Sequence, residues 1–148
     1  MMEKSGPGQK NPRYTYIDHT ADAGFIAYGG DLKELFKNAA EAMWNLIADI
    51  DRIEPRQQRE IDVKGANHEE LLVGWLQELV YLFDVDRMLF CSFNVHRVDD
   101  VGCEATAWGE PFDERRHVIN TAVKAVTYHG LEVKRKNGTY EARVIIDI

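Results

Sequence analysis

The stretch Leu131-Glu132-Val133-Lys134-Arg135-Lys136-Asn137-Gly138-Thr139-Tyr140-Glu141-Ala142-Arg143-Val144-Ile145-Ile146 decides the fold. Asn-Gly is the strongest short-range hairpin signal, because both residues tolerate the positive φ that a two-residue turn needs. Closing two strands on Asn137 and Gly138 sets Lys134 against Glu141 and Glu132 against Arg143, opposite charges on one face. Leu131, Val133, Ala142 and Val144 share the other face, so the charge pattern and the apolar pattern select one register. Carried backward, that register puts Tyr128 opposite Asp147 and Thr127 opposite Ile148, unless Gly130 introduces a bulge. The segment Lys124 to His129 therefore runs beside the end of the last strand.

The rest of the chain supplies what packs on this hairpin. Tyr14, Tyr16 and Ile17 form a short β-prone run ending at Asp18, and Phe25 to Tyr28 before Gly29-Gly30 form another. Between them lies the polar loop Asp18-His19-Thr20-Ala21-Asp22-Ala23-Gly24. From Asp31 the apolar period becomes helical: Leu32, Leu35, Phe36, Ala39, Ala40, Met43 and Ile47 share a stripe. Asp31 serves as N-cap with Glu34 three residues on, and the helix runs to about Ala48. After Pro55, Ile61 and Val63 alternate with charged neighbours from Arg59 to Lys64. Asn67 caps a second helix with Glu70 in the reciprocal position, burying Leu71, Leu72, Trp75, Leu76, Leu79, Val80 and Phe83. Leu89 to Arg97 and Cys103 to Gly109 flank Asp99-Asp100-Val101-Gly102 as a hairpin with a longer loop. Its register sets Cys103 near Arg97 and Cys91 near Gly109, which keeps the two cysteines apart and reads them as reduced. Pro111 to Val123 reads as a long polar loop that orders around a partner. Trp44, Trp75 and Trp108 read as core aromatics.

These elements predict an α+β fold of two layers, a mixed, mostly antiparallel sheet with two amphipathic helices packed on one face. Residues 1–12 read as a flexible leader and 13–148 as a single domain. The 148 residues, 45% hydrophobic, suffice for one substantial core. A formal charge of -7 is the wrong sign for a chain that wraps RNA unaided, so Arg56, Arg59, Arg115 and Arg116 read as surface charge. The longest apolar runs fall far short of the roughly 20 residues that span a bilayer. Without an apolar signal segment at the N-terminus, a cytoplasmic setting is expected.

The sequence contains no phosphate-cradling Gly-Lys-Ser/Thr loop, dinucleotide fingerprint, His-Glu-x-x-His or nucleophile elbow. What remains is the loop Asp18 to Asp22, the segment Lys124 to His129 and the terminal Asp147-Ile148. Asp147 and the Ile148 α-carboxylate are two adjacent anions, and one more carboxylate would make an all-oxygen site suited to Ca²⁺, Mg²⁺ or Mn²⁺ rather than zinc. Asp18, Thr20 and Asp22 also suit turns and caps, His19 and His129 suit loops, and Lys124 suits a solvated strand edge. A strand that stays apolar to its last residue suggests a buried terminus, whose carboxylate would need a partner.

Taken together, Tyr16-Ile17-Asp18-His19-Thr20-Ala21-Asp22-Ala23-Gly24, Val123-Lys124-Ala125-Val126-Thr127-Tyr128-His129 and the ending Val144-Ile145-Ile146-Asp147-Ile148 resemble the archease family, from about Tyr14 to Ile148. The resemblance implies an accessory protein, not a stand-alone enzyme, that promotes guanylylation and multiple turnover of the RtcB-type RNA ligase in tRNA splicing or RNA repair. It implies metal ligation by Asp22, Asp147 and the Ile148 carboxylate, with calcium, magnesium or manganese as the ion, and activation through Asp22, Lys124 and Asp147. GTP would be bound by the partner ligase, and RNA would be met only through that ligase. Two other readings stay open: a metal-dependent phosphoesterase acting alone, and a chaperone-like modulator of tRNA-modifying enzymes.

Overall fold

A computed structural model describes residues 12–17 and 22–148; the leader residues 1–11 and the loop 18–21, which holds His19, lie outside the described residues. The chain runs β1 (Tyr14–Ile17), β2 (Ala23–Gly29), α1 (Leu32–Ile47), a 3₁₀ turn (Ile50–Arg52), β3 (Gln57–Lys64), α2 (His68–Asp86), β4 (Met88–Val98), β5 (Gly102–Pro111), β6 (Ala125–Lys136) and β7 (Thr139–Asp147). The α+β class stands as expected. The strands divide into two sheets, ordered β1-β2-β7-β6 and β3-β5-β4, and every pairing between these strands is antiparallel.

Both helices begin as their sequences dictate. The Asp31 side chain accepts from the Glu34 N–H, while Glu34 reaches back to the Gly30 N–H. Asn67 and Glu70 repeat the arrangement, with Glu70 accepting from the Ala66 N–H. In each case the returning glutamate takes the amide one residue before the cap, which still satisfies a donor that the helix leaves over. Helix α1 packs on β2 of one sheet and β4 of the other, and α2 packs on β6 and β3. The two sheets therefore share one core. Leu35, Phe36, Ala39, Ala40, Met43 and Trp44 of α1 are fully buried there. Trp44 meets Phe90 and Phe83 edge-on at 5.6 and 6.1 Å, a favoured aromatic geometry. Trp75 donates its indole N–H to the Phe36 carbonyl at 2.9 Å, tying α2 to α1.

Trp108 departs from the core reading. Strand alternation turns Cys103, Ala105 and Ala107 inward, so Trp108 falls with Glu104 and Thr106 on the outer face. There it is half-buried, flanked by Gln58 and Ser92 on the neighbouring strands. The two cysteines sit apart in the β4–β5 hairpin: Cys103 opposes Val98, and Cys91 falls in a bulge beside Phe90. Burial pushes the thiols up to about 11 at Cys91 and about 12 at Cys103, and thiols so shifted are poor nucleophiles near neutrality.

The stretch from Pro111 to Val123 is also more constrained than expected, held by contacts within the chain. β5 continues to Pro111 and places Glu110, 2% exposed, beneath the turn that follows. Arg116 grips Glu110 through both guanidinium ends, at 2.5 and 3.2 Å, and the Glu54 N–H donates to it at 2.8 Å. The His117 Nδ1 accepts from the Asp113 N–H at 3.0 Å, so Nε2 carries the proton and donates to Glu110 at 3.0 Å. Burial by itself would raise the Glu110 carboxyl; the bonds from Arg116, the Glu54 amide and His117 outweigh it and hold the group down at about 2. Beyond this anchor Ile119 bridges to Ala48 and the Asn120 N–H donates to the Ile47 carbonyl at 2.7 Å. Sequence reading missed this network. Its signal is a glutamate closing a strand of small residues, with Arg116 and His117 six and seven positions on.

A carboxyl held below its ordinary value stabilises the fold above that value, and the contribution fades as pH falls toward the folded value near 2. Glu110→Gln should therefore lower stability at pH 7 by about 2–3 kcal/mol, the worth of charged hydrogen bonds left incomplete. Urea titrations should show the gap from wild type narrowing as pH drops from about 5 to about 2.

Candidate functional site

The Asn137-Gly138 hairpin closes as read from sequence, with both residues at positive φ, 55° and 79°. Glu132 pairs with Arg143 and Lys134 with Glu141. The register then breaks. Tyr128, His129, Gly130 and Leu131 together oppose Val144, and pairing resumes at Thr127 with Ile145, Val126 with Ile146 and Ala125 with Asp147. The bulge allowed for at Gly130 is present, at φ 68°, so Asp147 faces Ala125 rather than Tyr128. The other side of β7 pairs with β2, Gly24 opposite Ile145 and Ala23 opposite Ile146.

That ladder ends at Ala23 and Ile146, and Asp22 and Asp147 are the next residue on each strand. Were the pairing to continue by one step, their Cα atoms would lie about 4.5–5.5 Å apart with side chains on one face. Asp22 is half-buried and Asp147 exposed. On the opposite flank the Lys124 N–H donates to the Asp147 carbonyl at 2.8 Å, and the exposed Lys124 side chain emerges where β6 begins. Helix α2 fixes this edge: Gln77 Oε1 accepts from the Val126 N–H at 3.0 Å and Glu69 from the Val133 N–H at 3.2 Å. Two side chains spaced eight residues along one helix thus satisfy donors on the outer edge of β6, which otherwise invites a foreign strand. Sequence reading placed neither of them.

The chain end differs from the buried terminus expected. Ile146 is the last fully buried residue, and Ile148 is 40% exposed. Asp147 is exposed as well, so burial ends at Ile146 and the last two residues are open to water. Of the other sequence candidates, Asp18, His19 and Thr20 fall outside the described residues, and His129 lies exposed in the bulge.

Ile145 is buried on the same face as Asp147, two residues away, in a slot between two glycines. A Cβ on Gly24 would fall 2.9 Å from Ile145 Cδ1 and 3.1 Å from the Val144 carbonyl oxygen, and one on Gly130 would fall 3.4 Å from Ile145 Cγ1. The bulge therefore folds over Ile145 and borders the carboxylate row. Five clefts of about 320–700 Å³ among the described residues are lined by residues other than Asp22, Lys124, Asp147 and Ile148. The row stands at a strand end, with Asp147 and Lys124 exposed.

Among the described residues, no three His, Cys, Asp or Glu side chains gather closely enough to hold a metal ion. The row offers side-chain oxygens from two strands. That set fits a hard divalent cation and not zinc, provided a third oxygen comes from the main chain. No helix among the described residues is long and apolar enough to cross a membrane.

A family model described as the archease protein family (MTH1598/TM1083) matches residues 14–148. The chain is 43% identical to protein archease of Methanosarcina barkeri over 140 residues, 92% of this chain and 96% of that one. It is 38% identical to that of Sulfurisphaera tokodaii over 138 residues, 92% and 99% of the two chains. The solution structure of Methanobacterium thermoautotrophicum protein 1598 superposes with a TM-score of 0.81 at 38% identity, covering 92% of this chain and 99% of that one. The crystal structure of a Thermotoga maritima archease, described as a possible chaperone, shares the fold with a TM-score of 0.62 at 18% identity, covering 95% and 98%.

Because Ile145 fills the space over Gly24, Gly24→Val should cost about 1–3 kcal/mol of stability by overpacking. Its amide spectrum should shift at Asp147 and Ala125 while α1 stays unperturbed, which two-dimensional NMR would read.

Proposed function

This chain belongs to the archease family, and on that ground we propose that it activates a GTP-dependent RtcB-type RNA ligase, promoting ligase guanylylation and repeated turnover. The observation that supports an accessory role is the placement of Asp147 and Lys124, both exposed, at the end of the β7–β6 ladder, with Asp22 at the start of β2 on the other side of β7. A protein that performed phosphoryl chemistry alone would surround its substrate, whereas a strand end bearing carboxylates suits insertion into a cavity that a partner supplies.

In this reading Asp22, Asp147 and the Ile148 carboxylate would hold a divalent cation, calcium, magnesium or manganese, and the ion would supply positive charge where phosphoryl oxygens become more negative. Lys124 adds a compact cation on the flank of the two carboxylates and offsets phosphate charge. Asp147 ends β7, and Asp22 and Lys124 directly precede β2 and β6, so the ladder limits the ordering entropy lost when the partner is met. GTP stays with the ligase, in keeping with a chain that carries no phosphate-cradling motif. RNA is met through the ligase as well, in keeping with the net charge of -7.

Guanylylation and ligation assays with the cognate ligase, kept below the RNA concentration, test the reading. Asp22→Asn, Asp147→Asn and Lys124→Ala should each reduce stimulation at least tenfold while moving the thermal midpoint little, because exposed and half-buried surface sites generally change stability by no more than about 0.5 kcal/mol. One residue added after Ile148 should act the same way by displacing the carboxylate. Asp22→Ala that stimulates as wild type does would falsify the proposal. Phosphoester hydrolysis by the purified chain alone would favour the phosphoesterase reading.

Cation binding is a separate measurement. Calorimetric titration with Ca²⁺ or Mn²⁺ should show one site, weakened at least tenfold in Asp147→Asn, with Zn²⁺ failing to compete.

A further inference from the structure

The bulge in β6 is expensive for a purely structural feature. Three more residues stand on β6 than Val144 can pair, and Gly130 takes a left-handed conformation to close the excursion. The excursion exposes Tyr128 to 61%, with His129 exposed beside it. Neither side chain makes a hydrogen bond, ion pair or ring contact with another described residue. Covering Ile145 needs only Gly130 and its backbone. The size of the bulge is thus accounted for by what it displays, in line with bulges that re-aim side chains next to functional sites.

The place of the display narrows what it meets. Thr127 and Ala125 lead from the bulge directly to the Asp147 row, and Thr127 donates its hydroxyl to the Ile145 carbonyl at 3.2 Å, holding that connection rigid. Tyr128 lines none of these five clefts, and at 61% exposure most of its ring faces water. Ile148, 40% exposed, lies at the other end of the carboxylate row. Two apolar groups thus flank a charged row on a projecting surface, and an exposed tyrosine with a short, stiff side chain is the residue type that most often anchors a protein interface.

We infer that Tyr128 and His129 form the docking knuckle through which the carboxylate row is seated in its protein partner, and that they set affinity and not the activation step. This rests on the reading of the partner as the RNA ligase. The ligase surface beside its nucleotide cavity then carries an apolar recess for the Tyr128 ring, with the phenol and the imidazole of His129 at its solvated rim.

Biolayer interferometry on immobilised ligase tests this with wild type, Tyr128→Phe and the pair Tyr128→Ser with His129→Ala. The paired variant should bind at least tenfold more weakly, recovering full stimulation when added in excess, while Tyr128→Phe keeps most of the affinity. Hydroxyl-radical footprinting of the wild-type complex should protect Tyr128 and leave Tyr81 of α2, 54% exposed, unprotected. A paired variant that binds as wild type does, or a Tyr128 left reactive in the complex, overturns the knuckle alone and leaves the carboxylate reading standing. A wild-type chain with no affinity for the ligase overturns both.

Discussion

The antiparallel ladder between β2 and β7 is the constraint from which the site follows. A shift of one residue in this ladder would turn every side chain of β7 to the other face, moving Val144 and Ile146 out of the core and Asp147 away from Asp22. Two buried pairs prevent the shift. Phe25 packs beside Val144 and Ala27 beside Ala142, all four fully buried against α1 and its neighbours. The hydrophobic effect thereby fixes the position of carboxylates that it does not touch. Burying a phenylalanine and a valine contributes on the order of 1.5–3 kcal/mol each, which together offsets the repulsion between an exposed and a half-buried carboxylate.

The opposite flank of β7 is held by different means. β6 is an edge strand with a long bulge, and only short runs of pairing lie on either side of it. Helix α2 compensates through Gln77 and Glu69, which cap edge amides before and after the bulge. The approach to β6 is secured by the buried Glu110 with Arg116 and His117, followed by the Ile119 bridge to Ala48. Each link is polar and directional, so the start of β6 is placed by hydrogen bonds, whereas β2 is placed by packing. Lys124 depends on the first kind of support and Asp22 on the second.

A projecting charged strand end has a physical logic in an acidic protein. Asp147 is exposed and keeps its water in the free chain, and Asp22 is only half-buried, so the fold bears a small cost for them. In the proposed complex the remaining dehydration would come on entering the ligase cavity, where a bound cation would offset it. The same row enclosed in a cleft of its own chain would demand a permanent counter-charge and would weaken the domain.

The amino-acid sequence by itself determined the hairpin on Asn137-Gly138, both helix caps and the α+β class, because these rest on contacts between residues close in the chain: turn dihedrals, N-terminal amides and the apolar period. It also marked Asp22, Lys124 and Asp147 as candidates, through their resemblance to a known family. Only the tertiary structure decided the rest. The split into two sheets, the outward turn of Trp108, the solvation of Ile148 and the internal anchoring of Glu110 each depend on which distant surface covers a given face. Local pattern cannot report that. Trp108 alternates just as a core residue would, and only the placement of the two helices on the opposite face of its sheet leaves it outside. The four residues from Tyr128 to Leu131 show the division most clearly. Gly130 signalled that a bulge was possible, but its four-residue extent appears only once β7 is paired on both sides, with Gly130 lying over Ile145.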